Sequence, residues 1–146
     1  MSNHYSEHVV EIEHYLRSVA AAVRRKGRAL LEEYGITAPQ FEALVVLERE
    51  GDLTIGELSN KLYLAYSTTT DLVDRLEKSG YVERKRCSND RRVVWVQLQP
   101  KGANLFEAVL NARRTYLNNI MAAVDLNARK QILDSLELLH MNMATQ

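Results

Sequence analysis

A turn-like tetrapeptide, Cys87-Ser88-Asn89-Asp90, lies between two stretches rich in β-branched and aromatic residues, YVERKR at 81–86 and VVWVQL at 93–98. That is the pattern of a β-hairpin. The other long segments are periodic as helices, so the expected fold is mainly α with a small β-hairpin. The hairpin is also basic. From Arg84 to Arg92 the sequence reads RKRCSNDRR, five basic residues against one acidic.

Residues 6–34 read as one long helix, with Val9, Ile12, Leu16, Val19, Val23 and Leu30 spaced by three, four or seven. Gly27 weakens its interior by about 1 kcal/mol relative to Ala, and Gly35 is a natural stop. Thr37 can cap a second helix that tolerates Pro39 in its first turn, carries Phe41, Leu44, Val45 and Leu47 on an apolar face, and ends near Gly51. Thr54-Ile55-Gly56-Glu57 has the shape of a capping box ahead of a short helix containing Ile55, Leu58 and Leu62. After Tyr63 and Leu64 a further helix covers 65–79. In it Leu72, Val73 and Leu76 face inward, while Tyr66, Ser67, Thr68, Thr69, Thr70 and Asp71 load the first turns with polar groups. Three consecutive threonines are poor helix formers, because β-branching restricts their rotamers. Something other than helix stability favours those hydroxyls.

Beyond the hairpin, Pro100-Lys101-Gly102 breaks the strand. A long helix over 101–124 presents Leu105, Val109, Tyr116, Ile120 and Val124, and a last segment from Leu126 presents Ile132, Leu136, Leu139 and Met143. Both terminal regions carry more apolar stripe than a monomeric shell of this size covers.

The chain of 146 residues is long enough to bury a core without disulfides or a metal. One cysteine excludes an intrachain disulfide, and no CxxC pair suggests a zinc or dithiol site. No apolar run approaches the roughly 20 residues of a bilayer span and no signal pattern opens the sequence, so a cytoplasmic location without a membrane partner is expected. A formal net charge of zero argues at first against nucleic acid. The distribution argues the other way: Glu7, Glu11, Glu13, Glu32 and Glu33 sit in the first helix and leave one strongly positive edge at the hairpin.

Helix, short helix, tight turn, helix and basic hairpin is the order of a winged helix-turn-helix, a lobe over 36–100 within a single unit. The helix over 65–79 has the width to enter a major groove. There Ser67, Thr68, Thr69 and Thr70 can bond base edges or phosphates, and Tyr66 can do either. Thr54 and Arg75 join them as candidate contacts. Arg84, Lys85, Arg86, Arg91 and Arg92 cluster where a wing meets the backbone and the narrow minor groove of double-stranded DNA. Asp90, a lone acid among them, fits if it holds a guanidinium, that of Arg92 or Arg75, by bidentate hydrogen bonding.

The stretch LTIGELSNKLYLAYSTTTDLVDRLEKSGYVERKRCSNDRRVVWVQLQPKG, 53–102, resembles the MarR/SlyA family of regulators. It has that family's short helix ending in leucine, Ser/Thr-rich helix, D-R-L-E-x-x-G element, D-R-R wing and L-x-P-K-G exit. The resemblance implies a homodimeric transcriptional regulator, a repressor by family habit, on a pseudo-palindromic operator. Residues 1–35 and 101–146 would form the dimerisation region. Recognition would fall to Tyr66, Ser67, Thr68, Thr69 and Thr70, the orienting acid to Asp90 and the minor-groove arginine to Arg92. It also implies release by a small phenolic or lipophilic effector, for which Tyr15, Tyr34, Phe41 and Tyr63 are candidate lining residues, although aromatics at such spacings also build cores.

The peroxide-sensing branch carries a reactive cysteine in its first helix, and residues 6–34 contain none. Cys87 lies instead in the wing, where cations lower a thiol pKa. His4 and His8 are four apart beside Glu7 and Glu11, but a chain end frays and no metal or other cofactor is expected. An enzyme is not expected either, since no GxSxG, P-loop, HExxH or dinucleotide fingerprint occurs. The alternative is a winged helix used for protein–protein docking, which has no need of the R-K-R and D-R-R pair flanking one turn.

Overall fold

The computed structural model describes residues 4–145. In chain order its elements are α1 (Glu7–Glu33), α2 (Ala38–Glu50), β1 (Leu53–Thr54), α3 (Ile55–Leu62), α4 (Tyr66–Lys78), β2 (Val82–Arg86), β3 (Val94–Leu98), α5 (Pro100–Met121) and α6 (Leu126–Met143). The starts of α1, α2, α3 and α6 follow from capping chemistry. Ser6 accepts from the Val9 N–H at 3.3 Å, and Asp125 caps α6 by accepting from the Ala128 N–H at 2.9 Å. The reciprocal capping box lies at α2, where Gln40 N–H donates to Thr37 Oγ1 at 3.3 Å and Thr37 N–H donates to Gln40 Oε1 at 3.0 Å. At Thr54, where the sequence pattern places such a box, the hydroxyl accepts from the Glu57 N–H at 3.2 Å. Thr54 also belongs to β1, opposite Trp95.

The hairpin gains a third strand. All pairings are antiparallel in the order β1-β3-β2, with Arg84 opposite Val96 and Leu53 opposite Val96 on the other side. Two residues are too few to show an alternating pattern, which is why β1 is invisible in the sequence. β3 is thereby central, and Val96 is fully buried.

The core lies where α2, α3, α4, the sheet and the first half of α5 meet. Leu44, Leu47, Leu58, Val73, Leu76, Val96 and Val109 are fully or nearly fully buried, each contributing on the order of 1.5–3 kcal/mol. The rings of Phe41 on α2 and Phe106 on α5 stack at 6.2 Å and 21°. Gly27, a weak point by helix propensity, has a packing role: a Cβ there would lie 3.0 Å from both Val109 Cγ1 and Arg113 Nε on α5. The missing side chain lets α1 and α5 approach closely without displacing Val109 or Arg113.

Away from this lobe the packing thins. α6 buries no residue, and Val9, Ile12, Tyr15, Leu16 and Val19 of α1 are exposed. Between the two helices runs an apolar cleft of about 830 Å³, lined among others by Ile12, Tyr15, Leu16, Ile132, Leu136 and Leu139. No helix among the described residues is long and apolar enough to cross a membrane.

Candidate nucleic-acid interface

α4 is positioned by its own periodicity. Thr69, Leu72, Val73 and Leu76 follow one another by three, one and three residues and are its buried residues, so they form one stripe on the core. Tyr66, Ser67, Thr68, Asp71 and Arg75 are exposed. The outer face therefore carries a phenol, two hydroxyls, a carboxylate and a guanidinium, all groups that read base edges or phosphates. No ion pair joins Asp71 to Arg75, although they are four apart.

The threonine run is divided by helix geometry. Thr68 points outward, whereas Thr69, rotated by about 100°, is 0% exposed and donates from Oγ1 to the Ala65 carbonyl at 3.0 Å. Thr69 is thus a core residue, which corrects its placement among the DNA-reading residues. Thr70, half-buried, donates likewise to the Tyr66 carbonyl at 3.0 Å. The Thr54 hydroxyl is taken up as the α3 cap.

Arg84 is also corrected, because it turns toward α4 instead of outward. Its side chain, 23% exposed, donates from Nη1 to Glu77 Oε1 at 2.9 Å, from Nη2 to the Thr70 carbonyl at 3.3 Å and from Nη2 to Asp74. Burial opposes its charge, and the hydrogen bonds and charges of Asp74 and Glu77 outweigh that, holding the guanidinium above its ordinary pKa. Asp74 and Glu77, three residues apart and so on one face of α4, converge on one cation. Arg84 locks the wing strand to α4.

At the wing tip, Asp90 Oδ1 accepts from Arg92 N–H at 3.0 Å and from Arg92 Nε at 3.3 Å. Arg92 is therefore the partner of the lone acid, through one carboxylate oxygen in place of a bidentate pair, and its side chain is 92% exposed. Arg86 Nη1 donates to the Arg91 carbonyl at 3.2 Å across the loop, and Lys85 and Arg91 are exposed. The wing thus offers Lys85, Arg86, Arg91 and Arg92 to an anion, with Arg84 withdrawn. Cys87, half-buried, lines a shallow cleft with Lys85, Arg86 and Trp95.

The four aromatics named for an effector pocket are not brought together. Phe41 is buried in the core against Phe106, Tyr34 is exposed at the end of α1, and Tyr63 is exposed between α3 and α4. Of the four, Tyr15 alone lines the α1–α6 cleft. Among the described residues no three His, Cys, Asp or Glu side chains are placed to hold a metal ion.

Residues 36–94 match the model of the MarR family. Over 114 residues the chain is 50% identical to the HTH-type transcriptional regulator YsmB of Bacillus subtilis (strain 168), spanning 78% of each protein. It is 35% identical over 115 residues to the organic hydroperoxide resistance transcriptional regulator of the same organism, spanning 77% of this chain and 78% of that one. Among solved structures, a MarR family protein from Bacillus stearothermophilus superimposes with a TM-score of 0.83 at 44% identity, covering 97% of this chain and 99% of that one. The match falls on the segment that builds the α3–α4 pair and the basic wing, and the likeness of sequence and fold extends well beyond it: the chain belongs to the MarR family of transcriptional regulators.

Proposed function

We propose that this regulator works as a homodimeric repressor, each α4 entering a major groove of a pseudo-palindromic operator and each wing placing Arg91 and Arg92 at the adjacent minor groove. The observation that carries the reading is the division of α4. Its buried stripe holds it against the lobe, and its outer face presents Tyr66, Ser67, Thr68 and Arg75. Arg84 fixes the neighbouring wing strand to that helix, so the two DNA-facing elements act as one rigid body.

The α1–α6 cleft supports the dimer. An open apolar groove of this size between terminal helices is unusual on a monomer, and a second copy offers the same helices as cover. A two-fold axis through that interface would set the half-sites about one turn, roughly 34–36 Å, apart.

Selection of random duplex DNA by the full chain at two salt concentrations, alongside sedimentation at micromolar protein, tests this. The expected result is a dimer that enriches a palindrome with half-sites one turn apart. Unselective salt-sensitive binding, or none, would remove the operator-reading role and favour a protein-docking module. A monomer that still selects a single half-site would overturn the dimer alone.

A further inference from the structure

The turn between α3 and α4 is built from Tyr63, Leu64 and Ala65. Tyr63 N–H donates to the Asn60 carbonyl at 3.3 Å and Leu64 N–H to the Ser59 carbonyl at 3.1 Å, the paired closure that ends a helix in a left-handed residue. Tyr63 is that residue, at φ 56° and ψ 39°. Among the described residues it is the one non-glycine with positive φ; the other three positions, Gly35, Gly51 and Gly80, are glycine. A side chain is strained there because its Cβ crowds the neighbouring carbonyl. Internal packing does not compensate for that strain. Tyr63 is 94% exposed, whereas Tyr81 is 5% exposed beneath Lys101.

The direction of the ring is set by its neighbours. Leu62 and Leu64 both pack against the core, so the chain has its inward positions on either side and Tyr63 projects out. Three residues later Tyr66 opens α4 and is 62% exposed. Ala65, the α4 N-cap, makes no side-chain cap hydrogen bond, so no capping side chain shields the first-turn amides beside these two phenols. A two-torsion aromatic on a closed turn gives up little freedom when it meets a partner.

We infer that Tyr63 is a DNA-backbone contact: its phenol donates to a phosphate oxygen and its ring lies against the adjoining deoxyribose, at the wall of the groove that α4 enters. This rests on the reading of α4 as the groove-entering helix. A residue in the turn ahead of such a helix meets the sugar–phosphate wall and not the base edges. A phenol flanked by the exposed polar Asn60 and Lys61 suits that wall better than an apolar protein partner.

The test uses the full chain, the duplex that wild-type protein selects, and the variants Tyr63→Gly and Tyr63→Phe. Gly relieves the left-handed strain, so its melting temperature should equal or exceed that of wild type while operator affinity falls about 5- to 10-fold, the scale of one lost hydrogen bond plus sugar contact. Phe should fall between the two. The selected sequence should be unchanged, because phosphate contacts carry no base information, and the salt slope should be unchanged, because the phenol is neutral. Wild-type affinity in Tyr63→Gly would overturn the inference while leaving α4 as reader. A changed sequence preference would overturn the phosphate assignment. Failure of wild type to select any duplex would instead remove the α4 reading, and this inference with it.

Discussion

One carboxylate holds both the backbone and the side chain of a single residue: Glu77 Oε2 accepts from the Arg84 N–H at 2.7 Å, and Glu77 Oε1 accepts from Arg84 Nη1 at 2.9 Å. Glu77 lies in the last turns of α4 and Arg84 in the middle of β2. The angle between the groove-facing helix and the wing is thus set by a charge-assisted clamp, reinforced by Asp74 and the Thr70 carbonyl.

Arg84→Ala should therefore lower stability by about 1–2 kcal/mol, less than a buried charge network would lose because its carboxylates reach solvent. Operator affinity should fall as well, through loss of the fixed wing angle. Arg84→Lys should restore little, since an ammonium cannot span Asp74, Glu77 and a carbonyl as a planar fork does. Urea unfolding and operator titration of both variants check this; full rescue by Lys would show that charge alone suffices.

Adjacent threonines should separate reading from folding. Thr69→Ala removes a buried hydroxyl and methyl and should cost about 1–2 kcal/mol. Thr68→Ala should stay within about 0.5 kcal/mol of wild type while relaxing the bases preferred in each half-site. Thermal melts paired with sequence selection distinguish them, and identical profiles for the two variants would contradict the face assignment of α4.

For the wing tip, Arg92→Ala should weaken operator binding and reduce the salt slope by about one unit per protomer. Because its side chain is 92% exposed, the melting temperature should hardly move. Titrations across a salt series provide the measurement, and an unchanged slope would exclude Arg92 from the phosphate contacts.

Gly102 should tolerate no side chain. A Cβ there would run into the Tyr81 backbone carbonyl and lie 2.7 Å from Leu98 Cδ1, so Gly102→Ala should destabilise by about 1–3 kcal/mol through overpacking. Denaturant midpoints decide this; a neutral effect would mean that the start of α5 shifts freely against the root of the wing.

The sequence by itself determined the order of the helices and the hairpin, the helix cap at Thr37, the basic character of the hairpin and the motif that leads to the family. All of these are written in local spacing, which a single helix or strand expresses regardless of its neighbours. The tertiary structure decided which side chains remain free to meet DNA. Thr69 stands three, four and seven residues ahead of Leu72, Val73 and Leu76, so the helical period alone sets it on their covered face. Arg84 belongs to a run whose next members, Lys85 and Arg86, are exposed, and it is withdrawn by a relationship that local sequence does not carry, the approach of β2 to Asp74 and Glu77. Phe41 likewise joins the core because α5 brings Phe106 to it, and Tyr63 stands clear because Leu62 and Leu64 take the inward positions. Periodicity tells which residues can share a face. Which face is covered depends on packing between elements distant in the chain.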